Sequence, residues 1–206
     1  MSRMVIRGGW VVDPGSGFEG KADLAIEHGR IVARGEVLPR SGDQVIEAGD
    51  WVVTPGLIDM HVHLREPGDD QAETIASGSA AAVASGFSTI VCMPNTKPPI
   101  DNEAAAEFVT LQAKRAGKAN VYPVGAITKG RAGQELSEMG QLAWGGAVGF
   151  SDDGSPVMDS DMMRRSMIYA KMFGRPILSH AEDLTLAKGG VMHRGRTSLK
   201  LGLPGI

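Results

Sequence analysis

The chain has 206 residues, of which 42% are hydrophobic and 22% charged, a composition typical of a folded globular protein rather than a disordered one. Its formal net charge of -3 gives no basic excess, which argues against a nucleic-acid or anionic-membrane partner. The single cysteine, Cys92, excludes an intrachain disulfide and a cysteine-based zinc site. No secretory leader follows Met1 and no apolar run approaches the length of a membrane span, so we expect a cytoplasmic protein.

The first 53 residues are rich in β-branched residues and turn sequences, and we expect them to form a small antiparallel β unit. Glu27-His28-Gly29-Arg30 separates two apolar segments and is typical of a hairpin turn. The predicted strands of this unit span residues 5–12, 22–26, 31–33, 45–48 and 51–53.

From Thr54 onward, short apolar strands alternate with helices. This alternation is typical of a parallel sheet covered by helices, so we predict two domains, a β unit over 1–53 and an α/β region over 54–206. In the second region, strands are predicted over residues 57–64, 89–93, 120–127, 147–150 and 176–180, and helices over residues 73–85, 102–116, 135–143 and 159–173.

Polar and ionisable side chains end several of these strands. The carboxyl ends of parallel strands form one rim, where residues far apart in sequence meet. His61 and His63 end the first α/β strand, and side chains two residues apart on a strand point to the same face. Two imidazoles on one face can bind a divalent metal such as Zn²⁺; the alternative is a pair of ordinary core or surface histidines.

Further candidates follow the other strands. Asp152 and Asp153 can each ligate a metal or form a tight turn, and residue chemistry alone does not choose between them. Arg65 suits bidentate capture of a substrate carboxylate and Asn95 offers hydrogen-bond donors, although each also fits a surface or turn position. His180 ends the fifth strand, on the same rim.

Four motifs in this order resemble the dihydroorotase family of the amidohydrolase superfamily, and the resemblance covers essentially the whole chain. The motifs are Asp59-Met60-His61-Val62-His63-Leu64-Arg65-Glu66-Pro67-Gly68, Met93-Pro94-Asn95-Thr96, Phe150-Ser151-Asp152-Asp153-Gly154 and His180-Ala181-Glu182. A lone His-x-His pair would be weak, but the combination is specific. The resemblance implies a TIM-type (β/α) barrel with a small N-terminal β unit.

The same resemblance implies a site for one or two Zn²⁺ ions and for a substrate carboxylate. The implied metal ligands are His61, His63, Asp153 and His180, and the implied substrate-binding residues are Arg65 and Asn95. The implied reaction is reversible hydrolysis of the cyclic amide of (S)-dihydroorotate to N-carbamoyl-L-aspartate, a step of de novo pyrimidine biosynthesis.

Two alternatives stay open. One is a non-catalytic, dihydroorotase-like scaffold that partners aspartate transcarbamoylase, but such a scaffold need not keep all six site residues. The other is a cyclic amidohydrolase of the hydantoinase or allantoinase kind. Those relatives usually bridge their metals with a carboxylated lysine on strand four, and Ala147-Val148-Gly149-Phe150 contains no lysine.

The family pattern also requires residues that we do not find after His180. It expects a metal-binding histidine after a sixth strand and a proton-shuttle aspartate after an eighth, whereas the pattern here gives about five of eight βα units. We therefore expect the chain to be the N-terminal portion of a dihydroorotase, with no catalytic proton shuttle of its own. We expect it to be nearly inactive without its C-terminal remainder.

Overall fold

The computed structural model describes residues 3–206, and the chain divides into two compact units, one ending at Leu57 and the other running from Ile58 to Ile206. No helix in the described part of the chain has the length and apolar character needed to cross a membrane. The first unit contains the strands β1 (Met4–Asp13), β2 (Phe18–Glu27), β3 (Arg30–Gly35), β4 (Gln44–Glu47) and β5 (Val52–Val53).

The first unit is a mixed sheet in the order β3-β2-β1-β4, with β5 also paired to β1. The pairs β1–β2 and β2–β3 are antiparallel, with the hairpin turn at His28 and Gly29 as predicted. However, β4 and β5 run parallel to β1, so the expectation of a wholly antiparallel unit is wrong. The link over residues 36–43 carries the chain to the far edge of the sheet, where β4 enters in the direction of β1.

Asp23 fastens this link to the sheet. Its carboxylate accepts hydrogen bonds from the backbone N–H of Gly8 at 2.8 Å and of Val37 at 3.0 Å. These two bonds hold the pKa of the Asp23 carboxyl below its usual value. Gly8 has a φ of +70° and lies where the register of β1 shifts against β2. The carboxylate thus joins an irregularity in β1 to the segment that follows β3.

The second unit contains a three-stranded sheet in the order β6-β7-β8. Its strands are β6 (Leu57–Val62), β7 (Phe87–Cys92) and β8 (Asn120–Pro123). The pair β7–β8 is parallel, and single parallel bridges from Gly125 to Phe150 and from Phe150 to Ile177 continue the sheet. The predicted fourth and fifth strands are therefore present only as short bridged segments, bonded through Ser151 N to Gly125 O at 2.9 Å and Leu178 N to Phe150 O at 2.8 Å.

Helices follow the strands as the alternation predicts. They are α1 (Ile75–Ala84), α2 (Glu103–Ala116), α3 (Met139–Trp144), α4 (Ser160–Met172), α5 (Leu184–Ala187) and α6 (Arg196–Leu201). Side chains of Thr74, Asn102 and Asp159 cap α1, α2 and α4 by accepting bonds from free backbone N–H groups of the first turn. The short helices α5 and α6 carry weak periodicity and were not predicted.

The third helix begins four residues later than predicted. Residues from Glu135 onward have helix-compatible side chains, yet their backbone bonds to the loop after β8 instead. Lys129 N donates to Glu135 O at 2.8 Å, and Ser137 N donates to Ile127 O at 2.9 Å. Tertiary backbone bonds therefore displace the start of α3 to Met139.

Alternate residues of β7 bury opposite faces of the sheet. Ile90 and Cys92 pack in the main apolar cluster with side chains from the helices, whereas Val91 and Met93 belong to a second cluster with Val124. Burial raises the pKa of the Cys92 thiol to about 12, so Cys92 behaves as a core residue. Because both faces are apolar, the polar residues concentrate where the strands end.

Candidate active site

The candidate site lies at the carboxyl ends of the strand segments of the second unit. His61 is in β6 and His63 follows its last residue, while Asn95 follows β7. Asp153 follows the bridged segment at Phe150, and His180 follows the segment at Ile177. Parallel strands end on one edge, so these separate positions come together there.

Asp153 is the centre of the cluster. Its Oδ1 lies 3.3 Å from His61 Nε2 and 4.0 Å from His180 Nδ1, and its Oδ2 lies 3.7 Å from His63 Nε2. The Asp153 side chain is only 10% exposed. Ligand atoms of His61, His63 and Asp153 all lie within 4.8 Å of one another. One carboxylate therefore faces three imidazoles brought from two different strand ends.

Asn95 links the histidines to the carboxylate. Its Nδ2 donates to Asp153 Oδ2 at 3.0 Å, because a carboxylate can only accept. Its Oδ1 then faces His63 Nδ1 at 2.9 Å, so the imidazole N–H must donate to it. With its proton on Nδ1, a neutral His63 carries a lone pair on Nε2, the nitrogen that faces Asp153. Asn95 thus selects the tautomer of His63 that can bind a metal.

His180 has a similar arrangement at the edge of the cluster. Its Nε2 lies 3.2 Å from the carboxylate of Glu182, an acceptor that places the imidazole proton on Nε2. The lone pair of neutral His180 is then on Nδ1, which faces Asp153. A carboxylate behind a histidine is a common support for metal ligands, and it was not predicted from the sequence.

The structure separates the two adjacent aspartates. Asp152 is 2% exposed, and its carboxylate is bonded to the loop after β8. Its Oδ1 accepts from Ile127 N at 2.8 Å and Thr128 N at 3.0 Å, and its Oδ2 accepts from the Thr128 hydroxyl. Burial raises the pKa of the Asp152 carboxyl, and these hydrogen bonds oppose the rise. Asp153 is therefore the carboxylate beside the histidines, while Asp152 holds the loop after β8.

Arg65 is exposed and has a φ of +60°. Within residues 3–206, no hydrogen bond or ion pair engages its guanidinium, so the group is available to a ligand. The other predicted substrate-binding residue, Asn95, is already bonded to His63 and Asp153 but keeps a second N–H on Nδ2. The structure therefore brings Asn95 into the cluster and leaves Arg65 outside its hydrogen-bond network.

Sequence reasoning missed Arg131 as well as Glu182. Arg131 Nη2 donates to the backbone carbonyl of Asp153 at 2.8 Å. A signal existed, because Lys129-Gly130-Arg131-Ala132-Gly133 follows the third predicted strand on the same rim and carries a cation. The two histidines outside the cluster, His28 and His193, are exposed.

A family model described as dihydro-orotase-like matches residues 50–206. The chain belongs to the dihydroorotase-like family. It is 50% identical over 204 residues to the dihydroorotase of Geobacter metallireducens and 50% identical over 205 residues to that of Pelobacter propionicus. Each alignment covers 98% of this chain and 48% of the relative, so the chain spans about half the length of the curated relatives it matches. The family predicted from the four motifs is confirmed.

The fold also matches solved structures of a hydantoinase and a dihydroorotase. An L-hydantoinase from Arthrobacter aurescens superposes with a TM-score of 0.73 over 91% of this chain and 42% of its own, at 22% identity. A crystal structure of a dihydroorotase gives a TM-score of 0.62 over 86% of this chain and 50% of its own, at 15% identity. At such identities the likeness concerns the fold alone. This chain thus shares its mixed α/β fold with these two structures over most of its length.

The donor set of the cluster fits a divalent metal ion. It offers the imidazole nitrogens of His61 and His63, the latter with its lone pair directed inward by Asn95, and one nearly buried carboxylate, which are ligand types that Zn²⁺ prefers. The Asp153 carboxylate is nearly buried beside three imidazoles. Without a cation its negative charge would be poorly compensated, because burying an unpaired charge is costly. The residues present therefore suit the metal dependence of cyclic amidohydrolases.

Proposed function

We propose that the chain forms the metal-binding and carboxylate-binding part of a dihydroorotase, which hydrolyses the cyclic amide of (S)-dihydroorotate reversibly to N-carbamoyl-L-aspartate. The observation that carries the proposal is Asp153, which faces His61 and His63 within 4 Å in a chain 50% identical to dihydroorotases. The matching motifs and the family support this substrate above other cyclic amides.

We infer that the metal is Zn²⁺ and that up to two ions bind. His61 and His63 would hold the first, His180 the second, and Asp153 would bridge them. A divalent ion bound there would act as a Lewis acid on the amide carbonyl and make a water acidic enough to ionise at about pH 7. The expected Zn²⁺ rests on ligand chemistry, because imidazole and carboxylate suit zinc as a hydrolytic metal.

The residues of the chain have separate tasks in this reaction. Asn95 keeps the proton of His63 on Nδ1, and Glu182 keeps that of His180 on Nε2, so that both lone pairs face the site. Arg65 would pair with the substrate carboxylate through its planar guanidinium, assisted by the second N–H of Asn95 Nδ2. Fixing the substrate there turns a bimolecular attack on the amide into a positioned one.

The acid-base group of the reaction would come from further polypeptide. We infer that residues 54–206 supply five of eight βα units and that residues 1–53 form part of a β domain. A C-terminal remainder would then supply the proton-shuttle aspartate, and these 206 residues would show almost no turnover by themselves. The proposal also includes a cytoplasmic location for the enzyme and a complex of the enzyme with aspartate transcarbamoylase.

A chimera tests the substrate. Residues 1–206 are joined to the remaining portion of the Geobacter metallireducens dihydroorotase, and ring opening is followed with dihydroorotate and with hydantoin. We expect turnover of dihydroorotate and little of hydantoin, together with loss of at least about a hundredfold in kcat/KM for Arg65→Met, mainly through KM. The matched control is Arg164→Met, an exposed arginine on α4 that pairs with Asp161.

Three results would contradict the proposal or a part of it. Ring opening of hydantoin but not dihydroorotate would favour a hydantoinase. A chimera that folds and binds zinc but opens neither ring would favour a non-catalytic scaffold. Measurable dihydroorotate turnover by residues 1–206 without the added portion would contradict the inferred origin of the proton shuttle.

A further inference from the structure

We infer that Arg131 is a positioning residue that fixes the backbone of Asp153 and thereby aims its carboxylate at the histidines. The inference rests on the proposed metal centre. Arg131 lies in the short 3-10 turn Lys129–Arg131 that follows β8, outside the family motifs described above. Its Nη2 donates to Asp153 O at 2.8 Å and to Ser155 Oγ at 3.2 Å.

The backbone after Asp153 is held by Arg131 and by a turn bond from Ser155 N to Asp152 O at 2.7 Å, which does not involve the peptide group between residues 153 and 154. Gly154 follows with a φ of +78°, a conformation that glycine adopts freely, so the peptide group between residues 153 and 154 can rotate. Asp152 is anchored by its side chain to Ile127 and Thr128, but that anchor lies before Asp153. The guanidinium bonds to the Asp153 carbonyl, which the turn bond leaves free, and so fixes the orientation of this peptide group.

Arg131 itself is held in a costly conformation. Its φ is +57°, which L-residues other than glycine rarely adopt. Its Nε is buried and has no hydrogen-bond partner within the described residues. Unfavourable backbone conformations and unpaired buried groups persist only where the surrounding structure enforces them, and they are concentrated at functional sites. A guanidinium kept here against these costs agrees with a positioning role.

Arg131 also connects two neighbouring strand ends. The loop after β8 binds Asp152 through backbone N–H groups and Asp153 through Arg131, so both aspartates depend on the same loop. A shift of this loop would move the Asp153 carboxylate relative to His61 Nε2, which lies 3.3 Å away. Metal affinity should therefore respond to a residue whose hydrogen bonds go to a backbone carbonyl and to Ser155 rather than to the side chain of a proposed metal ligand.

The test measures the dissociation constant of Zn²⁺ by competition with a chromogenic chelator, using the purified protein. Arg131→Met keeps the aliphatic stem but removes the donors, and we expect its zinc Kd to rise about tenfold or more. The visible spectrum of the Co²⁺-substituted protein should change too, because it reports ligand geometry. Arg131→Lys should raise the zinc Kd less, since an ammonium group replaces the planar guanidinium but can still donate a hydrogen bond.

Two control variants separate positioning from general effects. Ser155→Ala removes the second acceptor but leaves the Asp153 bond, and its zinc Kd should stay within about twofold of the unmodified value. Arg164→Ala removes an exposed arginine and should also leave the Kd unchanged. The helical circular dichroism signal verifies that each variant is folded.

A folded Arg131→Met protein with the zinc Kd and Co²⁺ spectrum of the unmodified protein would overturn the inference while leaving the metal centre intact. If Arg131→Met does not fold, Arg131→Lys decides: a rise of about threefold or more supports the inference, and a smaller one overturns it. Failure of the unmodified protein to bind zinc would overturn both this inference and the proposed function.

Discussion

Asp152 and Asp153 are adjacent in the chain but have opposite surroundings. The Asp152 carboxylate is enclosed and receives three hydrogen bonds from the loop after β8, whereas the Asp153 carboxylate faces imidazoles and the amide of Asn95. One side chain therefore stabilises the fold and the other serves the site. The sequence Asp-Asp-Gly does not reveal this division, because both residues fit a turn and both can ligate a metal.

Alanine substitutions should separate the two roles in metal-free protein. Asp152→Ala leaves the N–H groups of Ile127 and Thr128 buried without an acceptor, so the free energy of unfolding should fall by about 2–4 kcal/mol. Asp153→Ala should change it by less than about 1 kcal/mol. Urea unfolding followed by helical circular dichroism measures both, since the six α-helices found in residues 3–206 lie in the second unit. Equal destabilisation by the two substitutions would contradict the division.

At the scale of elements, two rim loops are pressed together. The loop after β6 carries Arg65 and the loop after β7 carries Asn95. Gly68 has a φ of +102°, and a Cβ at this position would lie 2.1 Å from the backbone oxygen of Lys97. Lys97 N also donates to Pro67 O at 3.0 Å. This close approach requires glycine and ties the two predicted substrate-binding loops to each other.

Gly68→Ala should therefore cost at least about 3 kcal/mol of unfolding free energy, since backbone strain and a clash with main-chain atoms add. Gly174→Ala is the matched control, because Gly174 has a φ of +62° and open space around its Cα. We expect about 1–2 kcal/mol for the control. Urea unfolding measures both, and a cost for Gly68→Ala no greater than that of the control would show that the loops are not tightly packed.

The first unit has its own electrostatic anchor in Asp23. Its folded-state pKa lies below the usual 3.8, so its contribution to stability is present above about pH 3.8 and is lost as the pH falls through the folded-state value. Asp23→Asn should therefore be less stable than the unmodified protein at pH 6, and the difference should shrink at about pH 3. A pH-independent difference would contradict this origin.

The measurement follows tryptophan fluorescence during urea unfolding in a Trp144→Phe background. The remaining tryptophans, Trp10 and Trp51, both lie in the first unit. Asp50→Asn is the matched control, because Asp50 is exposed and its carboxylate makes no hydrogen bond within residues 3–206. It should show no comparable pH-dependent difference.

For the whole molecule, periodicity and turn signals predicted the alternation of strands and helices after Thr54, and the structure reproduces it. The pairing partners could not be predicted in the same way: β4 and β5 lie parallel to β1 because of a crossover link, which leaves no local signal. The start of α3 also depends on tertiary bonds, from Ser137 to Ile127 for example.

The candidate site was predictable in part for the same reason. His61, His63, Asp153 and His180 stand at strand ends, so the α/β pattern alone brings them to one rim. The contacts of Glu182 and Arg131 depend on loop conformation, which short-range pattern does not determine. Residue chemistry did not choose between Asp152 and Asp153; the family resemblance implied Asp153, and the structure gives the physical reason, because the loop after β8 encloses the Asp152 carboxylate.

The central claim is that residues from separate strand ends form a metal centre, and metal content tests it most directly. The protein is purified without a polyhistidine tag, equilibrated with Zn²⁺, freed of loosely bound ions, and its zinc-to-protein ratio is determined by mass spectrometry. We expect roughly one or two zinc ions per chain. His61→Ala should lose most of this zinc, while His193→Ala, which changes an exposed histidine outside the cluster, should retain it. Zinc content that is negligible in the unmodified protein, or unchanged in His61→Ala, would contradict the account.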